Sequence, residues 1–173
     1  MDNLPLKVDP FRFSDNSLSL EGKLLIKDMP RLFPSLSSDE GEVVVNLKFG
    51  VDEEGIRNVK GHMETCLILQ CQRCLESFKY EIIGDFMLAI VRTEKEAERL
   101  PERYDPLLVP DLSLILSDMV EDELIINLPI VPMHKIDNCK VKQSLESYSN
   151  DAVTEKESPF KNLESLRSKR DSK

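Results

Sequence analysis

Residues 57–91 read RNVKGHMETCLILQCQRCLESFKYEIIGDFMLAIV, two long apolar runs on either side of Cys71-Gln72-Arg73-Cys74. The runs Arg57 to Gln70 and Phe78 to Val91 are rich in Val, Ile, Leu, Tyr and Phe and contain no Pro, which predicts strands. The short tetrapeptide between them predicts a tight reversal, so the pair is expected to be antiparallel with Cys71 and Cys74 at its tip. A strand pair of this kind would present both sulfurs from one sheet end with little entropy left to lose on metal binding.

Working outward, Glu42 to Val51 places Val43, Val45, Leu47 and Phe49 on one parity and is closed by Asp52-Glu53-Glu54-Gly55, which predicts a hairpin with the Arg57 run. Leu18 to Ile26 alternates in the same way and is broken at Met29-Pro30. Residues 1–16, with Pro5, Pro10, Phe11 and Phe13, read as an extended N-terminal arm. Thr93 to Tyr104 reads as a polar loop with a short helix. From Asp111 to Asn127, Leu112, Ile115, Leu116, Met119, Val120 and Leu124 recur at helical spacing, Asp111 is placed to cap, and Pro129 ends the segment. The expected fold class is α+β: one mainly antiparallel, strand-rich domain over residues 17–140 with one long helix. Residues 141–173 are poor in apolar groups and are predicted to form a disordered tail. Within that tail Phe160, Leu163 and Leu166 precede Arg167, Lys169 and Arg170, the pattern of a short basic amphipathic segment that folds on a partner.

The composition narrows the function. With 173 residues, 40% apolar content and a net charge of −9, the chain has enough core for one soluble domain, and its acidity argues against whole-surface nucleic-acid binding. No signal-like N-terminus or membrane-length apolar run is read, so the expectation is a cytoplasmic protein. In a reducing compartment a close cysteine pair points to metal or redox chemistry rather than a structural disulfide.

Two thiolates three positions apart supply half of a tetrahedral zinc site. The later candidates for the other half are His134 and Cys139, giving the set Cys71, Cys74, His134 and Cys139. The competing reading is a reduced pair with no ligand. A thioredoxin-like role is disfavoured because the residues after Cys74 read as strand, not as the helix that would activate a thiol. Cys66, within a strand, reads as a small buried hydrophobe, and His62 as a surface histidine. Gln72 and Arg73 would point outward from the knuckle, leaving Arg73 free for an RNA phosphate or a carboxylate. Asp118, Glu121, Asp122 and Glu123 read as a solvated helix face, with acid-base or Mg²⁺ chemistry as the alternative. With six glycines and two histidines, no phosphate loop or Ser/His/Asp set is found, and no small-molecule substrate is evident.

Val8-Asp9-Pro10, Leu20-Glu21-Gly22, the stretch from Leu69 to Glu76, the stretch from Val120 to Pro132 and Pro159-Phe160-Lys161-Asn162-Leu163 together resemble the YceD family, the large ribosomal RNA subunit accumulation proteins. The resemblance spans nearly the whole chain. It implies a bacterial cytosolic, noncatalytic factor needed for accumulation of large-subunit (23S) ribosomal RNA, with metal binding and nucleic-acid binding as suggested properties. Some relatives carry a second close cysteine pair, where this chain has His134 and Cys139. The implied partners are precursor or mature large-subunit RNA or a large-subunit ribosomal protein. The alternatives from other classes are a protein-only regulatory adaptor and a metal-dependent rRNA-processing nuclease that uses the acidic helix.

Overall fold

The computed structural model describes residues 4–141. The expected tail motif, Phe160 to Arg170, lies outside the described residues. The chain divides into two compact units, Met1–His134 and Lys135–Lys173.

The first unit is built on a five-stranded sheet in the order β2-β3-β4-β5-β6, from β2 (Ser19–Leu25), β3 (Glu42–Val51), β4 (Arg57–Gln70), β5 (Ser77–Val91) and β6 (Asp105–Leu108). The first four are antiparallel neighbours, and β6 runs parallel to β5. The alternation seen in the sequence selects the faces. Val43, Val45, Leu47 and Phe49 of β3 and Val59, Met63, Leu67 and Leu69 of β4 are buried on one side, as a period of two requires. On that face Gly61 stands opposite Phe86. A β-carbon at Gly61 would lie 2.0 Å from the Phe86 ring, so the ring occupies the space that glycine leaves.

The core face is covered by helix α3 (Leu116–Asn127), whose Leu116, Met119, Val120 and Leu124 are buried. The expected helix from Asp111 is shorter than its periodicity suggests. Leu112 adopts φ 55, and Leu114–Ile115 forms a short strand, β7, paired antiparallel with Lys7–Val8 (β1). Tertiary pairing thus overrides helical propensity in the first turn, and Asp111 caps nothing. The N-terminal arm also departs from an extended form: Pro10–Asp15 is a helix, α1, with Asp9 accepting from the Phe11 and Arg12 amides. Pro10 sits at the first helical turn, where its missing N–H costs nothing. Phe13 of this helix meets Phe49 edge to face. The polar loop after β5 contains the short helix α2 (Glu94–Ala97), capped by Thr93.

Between β2 and β3, two 3-10 turns (Ile26–Asp28 and Pro30–Ser35) bury Ile26, Met29 and Leu32. They are fastened to α3 by Glu121, which is 1% exposed and accepts from the Arg31 and Leu32 amides and from Arg31 Nε at 2.8 Å. Arg31 also pairs with Asp122 and donates to the Asp118 carbonyl. The reading of Glu121 as a solvated carboxylate is therefore corrected: burial with three donors makes it a structural acceptor. Cys66 is corrected in the other direction. It is exposed, because its parity on β4 points away from the core.

In the second unit, the described residues form a 3-10 turn, Ile136–Asn138, with the Cys139 amide on the Ile136 carbonyl. Among the described residues no helix is long and apolar enough to cross a membrane.

Candidate metal centre

The knuckle is a closed turn on the end of the β4–β5 ladder, which finishes at Gln70 opposite Ser77. The Leu75 amide donates to the Cys71 carbonyl at 2.8 Å and the Cys71 amide to the Glu76 carbonyl at 2.8 Å. The turn closes only because Leu75 adopts the left-handed conformation, φ 62. Beyond α3, Pro129 prevents helical continuation, and the following segment returns past the knuckle, where the Gln72 amide donates to the Pro132 carbonyl at 2.9 Å. That bond brings His134 to the cysteines.

The donor atoms of Cys71, Cys74 and His134 lie within 4.8 Å of one another. Cys74 Sγ is 3.6 Å from His134 Nε2. With Zn–S about 2.3 Å and Zn–N about 2.05 Å, the edge of a tetrahedron joining sulfur and nitrogen is about 3.6 Å. The residues present therefore fit zinc, with Nε2 as the histidine donor. Phe78 meets the His134 ring edge to face at a centroid distance of 5.5 Å and fixes its plane. His134 Nδ1 is buried without a hydrogen-bond partner among the described residues.

Cys71 is fully buried. Burial pushes its thiol up, but the amides of Cys74, Arg73 and His134 and the Cys74 side chain favour the thiolate and bring it down to about 6. A thiolate is the state that ligates metal. Gln72 is exposed, whereas Arg73 is half-buried, with Nη2 3.4 Å from Met133 Sδ and Nη1 buried without a partner among the described residues. Arg73 thus folds along the returning segment instead of pointing straight out. Cys139 falls in the second unit, one residue beyond its 3-10 turn.

The acidic residues do other work. Glu121 and Asp122 hold Arg31, and burial followed by Asp105 and Asp122 raises the Glu123 carboxyl above its ordinary range. The structural role of Glu121 was available in the sequence, since it shares a helical face with Ser117 and Leu124. His62 is held by Asp85 at 2.7 Å and Glu64 at 3.0 Å through its two ring nitrogens. It is not directed at the cysteines.

A model of the family described as "Large ribosomal RNA subunit accumulation protein YceD" matches residues 59–167. A protein of that description from Haemophilus influenzae (strain ATCC 51907 / DSM 11121 / KW20 / Rd) is 32% identical over 169 residues, covering 96% of this chain and 97% of the relative. The chain belongs to the YceD family. The YceD match includes the knuckle, α3 and the returning segment, so all three converging donors lie inside the matched region. No solved structure matches the chain.

Proposed function

We propose that this YceD-family chain is a noncatalytic factor that supports accumulation of large-subunit ribosomal RNA in the cytoplasm, with a zinc-stabilised knuckle as its rigid end. The observation that carries this reading is the end-to-end match to a relative named for that role. In the site, Cys71 and Cys74 would hold zinc through sulfur and His134 through Nε2. Cys139 is the proposed fourth donor. It follows His134 by five residues, and a chain reaching up to about 3.5 Å per residue has ample length to return a thiol to the metal. Bound there, zinc supplies cross-linking of chain segments about sixty residues apart, not a reaction centre. The acids of α3 favour a noncatalytic reading over a nuclease, because Glu121 is already occupied by three donors.

The net charge of −9 supports a basic large-subunit ribosomal protein as the partner of the acidic body. RNA contact is assigned to Arg73 and to the tail residues Phe160, Leu163, Leu166, Arg167, Lys169 and Arg170, whose basic members would make that contact salt-dependent. The test is a deletion strain complemented with wild type or with Cys71→Ser/Cys74→Ser, followed by sucrose-gradient profiles and large-subunit RNA levels. A large-subunit deficit rescued by wild type and not by the double variant is expected. A normal profile in the deletion strain overturns the ribosomal role and leaves the protein-only adaptor. Rescue by the double variant overturns the role given to the metal. Ribonuclease treatment before a pull-down separates RNA-bridged from direct protein partners.

A further inference from the structure

The two ends of the five-stranded sheet differ. The β6 edge is four residues long and contains Pro106, which has no N–H to offer. The β2 edge is seven residues long, without Pro, and pairs with β3 in unbroken register from Ser19↔Lys48 to Leu25↔Glu42. Hydrogen bonds at both ends of this strand fix which groups face outward. The Phe49 amide donates to the Leu18 carbonyl and the Ile26 amide to the Gly41 carbonyl. Even-numbered positions therefore bond toward β3. The N–H and C=O groups of Ser19, Glu21, Lys23 and Leu25 point to the free edge, since the bonding direction alternates along an antiparallel strand. Among the described residues no backbone hydrogen bond from another element reaches these groups.

The sequence along this edge is Leu20-Glu21-Gly22-Lys23-Leu24, symmetric about Gly22 in hydrophobicity and opposite in charge at the two related positions 21 and 23. We propose that the outer edge of β2 is a self-association surface, on which a second copy of this chain pairs antiparallel about a two-fold axis at Gly22. In that register Glu21 faces Lys23 of the other copy, and the pair occurs twice by symmetry. Both are outward-bonding positions, so they form the hydrogen-bonded pairs. Gly22 meets itself at a non-hydrogen-bonded pair, where the α-carbons approach to about 4.5 Å. Leu20 faces Leu24 on the core side. Both leucines are half-buried in the single chain because no strand covers their outer flank. Beside Leu24 a hollow of about 160 Å³ is lined by Leu4, Leu6, Leu24 and Leu25 together with the polar Lys23, Asp28 and Ser117, and its apolar side offers room for the incoming Leu20. Glu21 has no ion-pair partner among the described residues, and Lys23, on the same face of the strand, pairs in the single chain with Glu42 of β3, a contact that pairing with a second copy would share or replace. A self-complementary edge satisfies the requirement of an isologous interface, in which one patch must serve as both partners. An unrelated extended segment would gain the backbone bonds but has no reason to match the paired opposite charges.

The test is the solution mass of the full chain by sedimentation or light scattering over a dilution series, for wild type, Glu21→Lys and Glu21→Lys/Lys23→Glu. Glu21→Lys replaces two attractions by two repulsions and is expected to weaken dimerisation about tenfold or more. The double variant restores both attractions between the copies while giving up the Lys23 and Glu42 pair, and is expected to shift the mass back from that of Glu21→Lys toward twice 19.8 kDa. Circular dichroism on each variant confirms that it is folded, and Glu21→Lys leaves the Lys23 and Glu42 pair in place. A wild type that stays monomeric at every concentration overturns the proposal. So does a dimer indifferent to Glu21→Lys, or a folded double variant that remains monomeric.

Discussion

Leu75 shows what a residue-level reading misses. Spacing pointed to Cys71 and Cys74, because C-x-x-C is readable from residue types alone. The left-handed turn that closes the knuckle was not legible, because its position is filled by Leu and not by the Gly or Asn that usually mark such a conformation. The side chain is 68% exposed, so it contributes little burial in return for the strain. What the site uses is the Leu75 amide on the Cys71 carbonyl. Leu75→Gly keeps that amide and removes the strain of about 1–2 kcal/mol, against about 0.5–1 kcal/mol of added backbone entropy. The expected result is a net gain of about 0.5–1 kcal/mol. Leu75→Pro removes the donor and cannot reach positive φ, so it should release the metal. Thermal unfolding of zinc-loaded protein with and without chelator checks both. A Gly variant that unfolds earlier, or a Pro variant that still responds to chelator, would refute this account of the turn.

At the scale of elements, the strands with clean alternation were legible and the ones made by long-range contact were not. β3, β4 and β5 follow the sequence pattern almost to the residue, since one buried face dictates parity. β7 was hidden inside a helical period because Leu114 and Ile115 satisfy either pattern, and pairing with Lys7–Val8 decided between them. The 3-10 turns holding Met29 and Leu32 were illegible for the same reason: Glu121, some ninety residues away, supplies the acceptor for their amides. The β4–β5 pair itself depends on a contact that pattern reading passes over, the Phe86 ring against Gly61. Three ring atoms lie closer than 3.0 Å to the place a β-carbon would take. Gly61→Ala must therefore displace the whole ring, with an expected cost of about 1–3 kcal/mol as overpacking. Adding Phe86→Leu to Gly61→Ala should recover part of the loss. Denaturant unfolding of the two variants measures it, and an unchanged midpoint for Gly61→Ala would show that the ring moves freely.

For the molecule as a whole, stability against pH reports two sites with opposite signs. Cys71 is depressed from 9.0 to about 6 in the folded chain. In metal-free protein its contribution is therefore fully present above the unfolded value and lost as pH falls through about 6, because between the two the unfolded state holds the extra proton. His62 behaves in reverse. Hydrogen bonds that its ring N–H groups donate to Glu64 and then Asp85 raise it above its ordinary 6.5. Its contribution is present below the unfolded value and is lost as pH rises through the folded one. The His62 effect is solvent-exposed and should shrink with added salt, whereas the Cys71 effect arises in a buried turn and should not. Comparing metal-free wild type with Cys71→Ser, the stability difference should widen between pH 6 and 9. Comparing wild type with His62→Gln, the difference should narrow as pH rises above 6.5. A Cys71→Ser profile parallel to wild type would mean that the thiol is protonated throughout, and the amide donors around Cys71 would then not be preparing a metal ligand.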